Sequence, residues 1–217
     1  MRTIAFVGQK GGSGKSTIAS SLAVAAQAMG EKVCLIDMDP QGALANWART
    51  RAARDVAVIA SGAARLPAWL AFLERKGVTL AILDTPGAEG AASSGAMQVA
   101  DLNIVPSRPS LFDLRASART CAALEEIEAE FVLLLNQRPP AQTAQVQDCV
   151  ETLEEMGELI SPGILMRGDY QEAARHGSGV TELNPDSAAA EEMRGLWESI
   201  RGRLARAKAE RPVRAAA

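Results

Sequence analysis

The chain is poor in aromatic side chains: 4% of 217 residues, made up of three Trp, one Tyr and four Phe. Any core must therefore be built from Ala, Val, Leu and Ile, in keeping with an apolar content of 47%. There is one histidine, His176, and a lone imidazole cannot assemble a metal site, so it reads as a surface or capping residue. Cys34, Cys121 and Cys149 are widely spaced and form no C-x-x-C pair, which argues against zinc and iron–sulfur binding. They read as small buried hydrophobes. No apolar run reaches the roughly 18 residues of a membrane helix, so no span is expected. The N-terminus shows no signal-peptide pattern, so a cytoplasmic location is expected. Internal repeats and long linkers are also missing. What is left is the length and composition of one α/β domain, expected over residues 1–207, with a basic, flexible tail at 208–217.

What the chain does have is a glycine-rich loop, Gly8-Gln9-Lys10-Gly11-Gly12-Ser13-Gly14-Lys15-Ser16-Thr17. Its Gly14-Lys15-Ser16 end fits the phosphate-loop pattern G-x-x-x-x-G-K-[ST]. The opening glycine is displaced by Gln9, and Gly8 falls one position early. An apolar strand precedes the loop, and apolar residues at helical spacing (Ile18, Leu22, Ala25, Ala26, Met29) follow it. Strand, glycine loop and helix start together direct backbone N–H groups and a helix dipole at phosphate. The nucleotide-binding set is therefore Lys10, Gly11, Gly12, Ser13, Gly14, Lys15, Ser16 and Thr17. Lys15 is placed to contact the β- and γ-phosphates of ATP, and the Ser16 hydroxyl to bind Mg2+.

Two further apolar runs end in acid. Val33-Cys34-Leu35-Ile36-Asp37 leads into Met38-Asp39-Pro40-Gln41-Gly42, and Leu80-Ala81-Ile82-Leu83-Asp84 leads into Thr85-Pro86-Gly87. Strands are predicted at 3–7, 32–37, 56–59, 79–84, 102–106 and 130–135, with a shorter one near 163–166; helices are predicted at 15–29, 41–53, 64–76, 110–127, 143–155 and 187–207. The alternation predicts an α/β fold: a doubly wound, mostly parallel sheet with helices on both faces and the ligand at the carboxyl ends of the strands.

The loop K-G-G-S-G-K-S, with Lys10 five residues before Lys15, resembles the deviant Walker A motif of the ParA/MinD family of dimerising ATPases. The resemblance runs from about Arg2 to Arg201 and is nearest to the small, ParF-like partition ATPases. It implies that Lys10 acts on a nucleotide held by a second subunit of a sandwich homodimer. It also implies that Lys15 and Asp39 serve catalysis, Asp39 by positioning water, and that Asp37 and Asp84 join Ser16 around Mg2+. Pro106 and Asn136, each closing an apolar run, match positions near the base, and serve equally well as plain strand ends. Trp47 suits either the core or a dimer face.

The net charge of −3 is uneven. Residues 194–217 carry seven basic residues against two acidic, a net +5, which leaves −8 on the remainder. The resemblance implies ATP-dependent, sequence-independent DNA binding, for which Arg167, Arg175 and Arg203 are the candidate contacts; a solvated basic helix face accounts for the tail equally simply. It further implies a ParB-like or other adaptor that stimulates hydrolysis, a nucleoid association, and a plasmid, chromosome or protein cargo. A MinD-like membrane-cycling ATPase is the alternative, because Leu196, Trp197, Ile200 and Leu204 form an apolar stripe flanked by arginines. A last helix packed on the core would show the same stripe. A reductase of the nitrogenase iron-protein type lacks its cluster cysteines, and an amidotransferase-type synthetase lacks a glutamine-hydrolysing domain.

Overall fold

A computed structural model describes residues 1–210, with side chains through Arg206. Six strands form one sheet: β1 (Arg2–Phe6), β2 (Val33–Asp37), β3 (Ala57–Ala60), β4 (Leu80–Asp84), β5 (Leu102–Ser107) and β6 (Phe131–Leu135). Their order is β3-β2-β4-β1-β5-β6 and every pairing is parallel. The central strands are apolar on both faces because helices cover both. Side-chain alternation divides them cleanly. Ile4, Phe6, Leu35, Ile82, Ile104 and Leu134 enter one cluster, and Ala5, Val7, Cys34, Ile36, Leu83, Val105 and Leu133 enter the other.

The first face carries α1 (Lys15–Ala28), α2 (Ala43–Thr50), α7 (Gly168–Arg175), the single turn α8 (Val180–Leu183) and α9 (Ala188–Glu210). The second carries α3 (Leu66–Arg75), α4 (Ala91–Val99), α5 (Leu111–Glu126) and α6 (Ala144–Met156). The stripe Leu196, Trp197, Ile200 and Leu204 is at most 4% exposed and packs into the first cluster. It is core, not a free amphipathic face. No described helix is long and apolar enough to cross a membrane. Trp47 is likewise core, 6% exposed.

The differences from sequence expectation are local. Helix α4 was not predicted: Ala91-Ala92-Ser93-Ser94-Gly95 is small, polar and aperiodic, and its helix is set by packing on the sheet. Helices α7 and α8 also went unassigned. The strand expected near 163–166 is reduced to isolated bridges, Leu133 with Leu159 and Arg138 with Leu165. Ile160 N–H donates to Leu133 O and Ile164 N–H to Leu135 O, and between them stands Pro162, which has no N–H to make a rung. The 3-10 turn 63–65 precedes α3, in place of one helix over 64–76. The predicted boundary between domain and tail falls inside α9, and residues 211–217 of that tail lie outside the described residues.

Candidate nucleotide site

Register brings three strand ends together. Asp84 at the end of β4 is paired with Phe6 of β1 and with Asp37 of β2. Both aspartates follow a residue of the second cluster, so both point to the face on which α1 begins. On the other side of β4 from β2, β1 releases the phosphate loop.

The loop is held in shape by its glycines and by Asn136. Gly14 caps α1 at φ 91°, a left-handed conformation that other residues adopt at a cost. A Cβ there would lie 2.3 Å from Asn136 Nδ2, the group that donates to Ser13 O over 2.6 Å. Asn136 is 3% exposed, directly beyond β6, and it braces the loop from below. Gly87 seals the other side: a Cβ there would lie 2.6 Å from Gly11 N and 2.9 Å from Lys10 C. Pro106 lies within β5, not at its end. Val7 N–H donates to Ile104 O as β1 leaves the sheet, so the β1 side of β5 has no ladder for Pro106 to break. Pro106 instead lines a small cavity under the loop, with Gly8, Gln9, Lys10 and Ser13.

Lys15 is 6% exposed and donates to Lys10 O over 3.2 Å. Burial lowers its pKa, while Asp84 and Asp39 pull it back up. Asp84 is fully buried and, among the described residues, neither carboxylate oxygen has a hydrogen-bond partner. Burial lifts its pKa to about 7, with Asp37 and Asp39 adding to the rise and Ser16 and Lys15 opposing it. The Ser13 hydroxyl is also buried and unpartnered. A buried orphan carboxylate beside a hydroxyl suits a hard divalent cation, and a buried hydroxyl in an amide-lined loop suits phosphate. The residues present fit Mg2+ and a nucleotide polyphosphate.

Asp37 does something else as well. Its Oδ2 accepts from Ala45 N–H over 2.9 Å, in the first turn of α2, and its Oδ1 from Asp39 N–H over 3.2 Å. It ties α2 and the Asp39 loop to the carboxyl end of β2. Asp39 in turn accepts from Gln41 N–H over 2.9 Å and is only partly buried. Ser16 and Thr17 form one wall of a cavity of about 330 Å³, with Asn46, Trp47 and Thr50 of α2 and Arg175 of α7 around it.

Lys10 turns toward β5 and α5. Its amine lies 2.5 Å from Asp113 Oδ2 and 6.0 Å from the centre of the Phe112 ring. Asp113, 2% exposed, also accepts from Arg108 (Nε 2.9 Å, Nη2 3.3 Å) and from the Ser110 hydroxyl. Burial would raise the Asp113 pKa, but hydrogen bonds from Arg108, Lys10 and Ser110 hold it below the ordinary carboxylate value. Ser110 caps α5 by accepting from Asp113 N–H, which fixes the carboxylate at the positive end of the helix. Sequence reasoning missed Asp113 and Arg108. The Ser110-x-x-Asp113 spacing just beyond an apolar strand was the available signal.

The three candidate DNA contacts do not share one surface. Arg203 pairs with Glu130 and Glu158, and Glu130 directly precedes β6, at the amino end of the sheet. Arg167 follows the Arg138–Leu165 bridge on the carboxyl side, and its Nε and Nη2 both bond Glu192. Arg175 is 75% exposed, with Glu172 at 3.7 Å. His176, the lone histidine, pairs with Glu172 at the surface.

A parallel sheet with a glycine loop opening α1 and two acidic strand ends beside it defines a phosphate-loop nucleotide-binding protein. Residues 4–180 match the CobQ/CobB/MinD/ParA nucleotide binding domain, and the chain belongs to that family. It is 35% identical over 161 residues to the maintenance of carboxysome distribution protein A of Gloeobacter kilaueensis, covering 72% of each chain. It is 26% identical to the chromosome-partitioning ATPase Soj of Thermus thermophilus, covering 94% of this chain and 97% of that one. The structure of the Cyanothece McdA–ATP complex has the same fold, with a TM-score of 0.75, 18% identity and 98% of both chains covered.

Proposed function

We propose that the chain is an ATPase that closes into an ATP-dependent homodimer, binds nucleoid DNA without sequence preference, and hydrolyses ATP when an adaptor protein stimulates it, so as to position a cargo. The observation that carries this reading is the pairing of Lys10 and Lys15 on one loop opposite a buried, unpartnered Asp84. Ser16 and Asp84 would hold Mg2+, with Asp37 behind them, and the ion would neutralise charge on the phosphate oxygens. The loop amides from Gly11 to Ser16 bind and orient the polyphosphate, and Lys15 neutralises its terminal groups. Asp39 holds the attacking water through its free oxygen. Lys10, supplied by the second copy, completes the charge around the transferred group. Likeness to proteins named for carboxysome distribution and for chromosome partitioning supports a large assembly as cargo. The burial of the α9 stripe speaks against the membrane-cycling alternative.

The test compares three variants in ATP binding, steady-state turnover and sedimentation with a non-hydrolysable ATP analogue. Lys15→Ala should lose nucleotide binding. Asp39→Ala should bind and not turn over. Lys10→Ala should bind as a monomer and fail to dimerise. Undiminished turnover of Asp39→Ala, or a dimer independent of both nucleotide and Lys10, would sink the reading.

A further inference from the structure

Lys10 and Arg108 share a single buried carboxylate, and the two cations are attached to it differently. Arg108 grips both oxygens of Asp113, Nε to Oδ1 at 2.9 Å and Nη2 to Oδ2 at 3.3 Å, five residues apart, from the β5–α5 connection to the first turn of α5. Lys10 reaches Oδ2 at 2.5 Å from a loop 103 residues away in sequence. Ser110 adds a third donor. The Asp113 side chain is 2% exposed, and Lys10 and Arg108 are 31% and 33% exposed.

A carboxylate this little exposed is destabilised when its only cation leaves, because the charge left behind is poorly compensated. With two cations it can lose one. The planar guanidinium matches a carboxylate in two-point contact and stays protonated, whereas lysine is a compact charge on a flexible stem with three donors. The local, two-point partner is built to stay. The remote, one-point partner is built to leave.

We propose that Arg108 is a positioning residue that holds Asp113 in place of Lys10, and so frees Lys10 to move onto a nucleotide phosphate held by a second copy of the chain. This rests on the reading of Lys10 given above. Arg108 also has Nη1 4.0 Å from the place a Cβ on Gly12 would take, so it lies beside the phosphate loop that carries Lys10.

The test measures two quantities on the full chain: nucleotide affinity at a protein concentration too low to dimerise, and the protein concentration at which a non-hydrolysable ATP analogue drives dimerisation. In Arg108→Gln the first should be unchanged. The second should rise roughly ten-fold or more, because Lys10 becomes the only cation on a buried charge. Adding Asp113→Asn to Arg108→Gln should return dimerisation toward wild type, since a neutral amide holds no lysine. Arg108→Lys should restore part of it, supplying charge without the two-point grip. Arg108→Gln dimerising like wild type would overturn the proposal. So would a double variant that fails to recover although its thermal melt is native, which would place Arg108 in direct contact with the second copy instead. Lys10→Ala separates the two levels: if it dimerises normally, the role of Lys10 itself fails; if it does not and Arg108→Gln does, only the role of Arg108 fails.

Discussion

Asn136 and Gly14 occupy adjoining space: the amide that donates to Ser13 O at 2.6 Å would sit 2.3 Å from a Cβ at position 14. The loop is thus shaped from two sides, by a glycine and by the side chain that only a glycine admits. Asn136→Ala should remove a buried hydrogen bond worth about 1–3 kcal/mol and weaken ATP binding by roughly ten-fold or more as the loop loses its shape. Gly14→Ala should abolish binding. The double variant removes the clash and keeps the strain, because φ at position 14 is 91°. It should therefore bind better than Gly14→Ala and worse than Asn136→Ala. Isothermal titration of the three with ATP and Mg2+ gives the order, and equal binding by both single variants would contradict it.

Much of this was legible in the sequence, and the boundary has physical causes. The strands were legible because a parallel strand buried on both faces is a continuous apolar run ended by a functional residue, as at Asp37 and Asp84. The loop was legible because phosphate needs glycines in sequence with a lysine. Asn136 was read as a strand end or base contact, and its bond to Ser13, 123 residues away, could not be seen because no local pattern encodes it. Asp113 was hidden for the same reason: the capping Ser110 is a local signal, but the two cations that make the carboxylate interesting arrive through tertiary structure. Arg167 and Arg203 were named as candidate DNA contacts, and which acid pairs with each is decided only by packing. Helix α4 has no apolar period to read, and Pro162 breaks the ladder of a segment whose composition otherwise suits a strand.

The raised Asp84 pKa makes a prediction about stability. A carboxyl at about 7 in the folded protein, against an ordinary value of 3.8, prefers its protonated form when folded. Between those values the folded state binds the extra proton, so stability falls as pH rises, by at most roughly 1.4 kcal/mol per pH unit, and levels off above about 7. In chelator and without nucleotide, Asp84→Asn should remove this slope. It should be more stable than wild type at pH 8 and little different near pH 4. Urea midpoints across that range test it, and a wild type that gains stability from pH 5 to 7 while Asp84→Asn does not would reverse the assignment.

Arg51 ties α2 to the turn that leads into α8. Its side chain is 2% exposed, bonds Asp55, Glu182 and Gly177 O, and lies 5.2 Å from the Trp47 ring, whose own N–H donates to Ser178 O over 3.2 Å. Because Asp55 and Glu182 are about a third exposed, loss of Arg51 leaves charges that water can reach. Arg51→Leu should therefore cost about 2–3 kcal/mol, below the full cost of stranding a buried pair. Gly177→Ala should cost at least as much, since φ is +63° and a Cβ would lie 2.4 Å from Arg51 N. Denaturant unfolding of both checks this, and a change under about 0.5 kcal/mol in either would show that the bond network is dispensable.

The three candidate DNA contacts should not be equivalent. Arg203 spans Glu130 and Glu158, and Arg167 spends two N–H groups on Glu192, so each must give up a bond to reach phosphate. Arg175, 75% exposed and 3.7 Å from Glu172, gives up little. Binding that rests on counterion release falls linearly in log affinity against log salt, with a slope set by the number of phosphates neutralised. Arg175→Ala should lower affinity for random-sequence duplex equally on all sequences and reduce that slope by about one contact per subunit. Arg203→Ala, at the amino end of the sheet, should change the slope less and should cost stability instead, because it leaves Glu130 and Glu158 side by side. Fluorescence anisotropy with an ATP analogue from about 50 to 200 mM salt gives the slopes. A larger loss of slope in Arg203→Ala than in Arg175→Ala would move the DNA-binding face to the amino end of the sheet and away from α7.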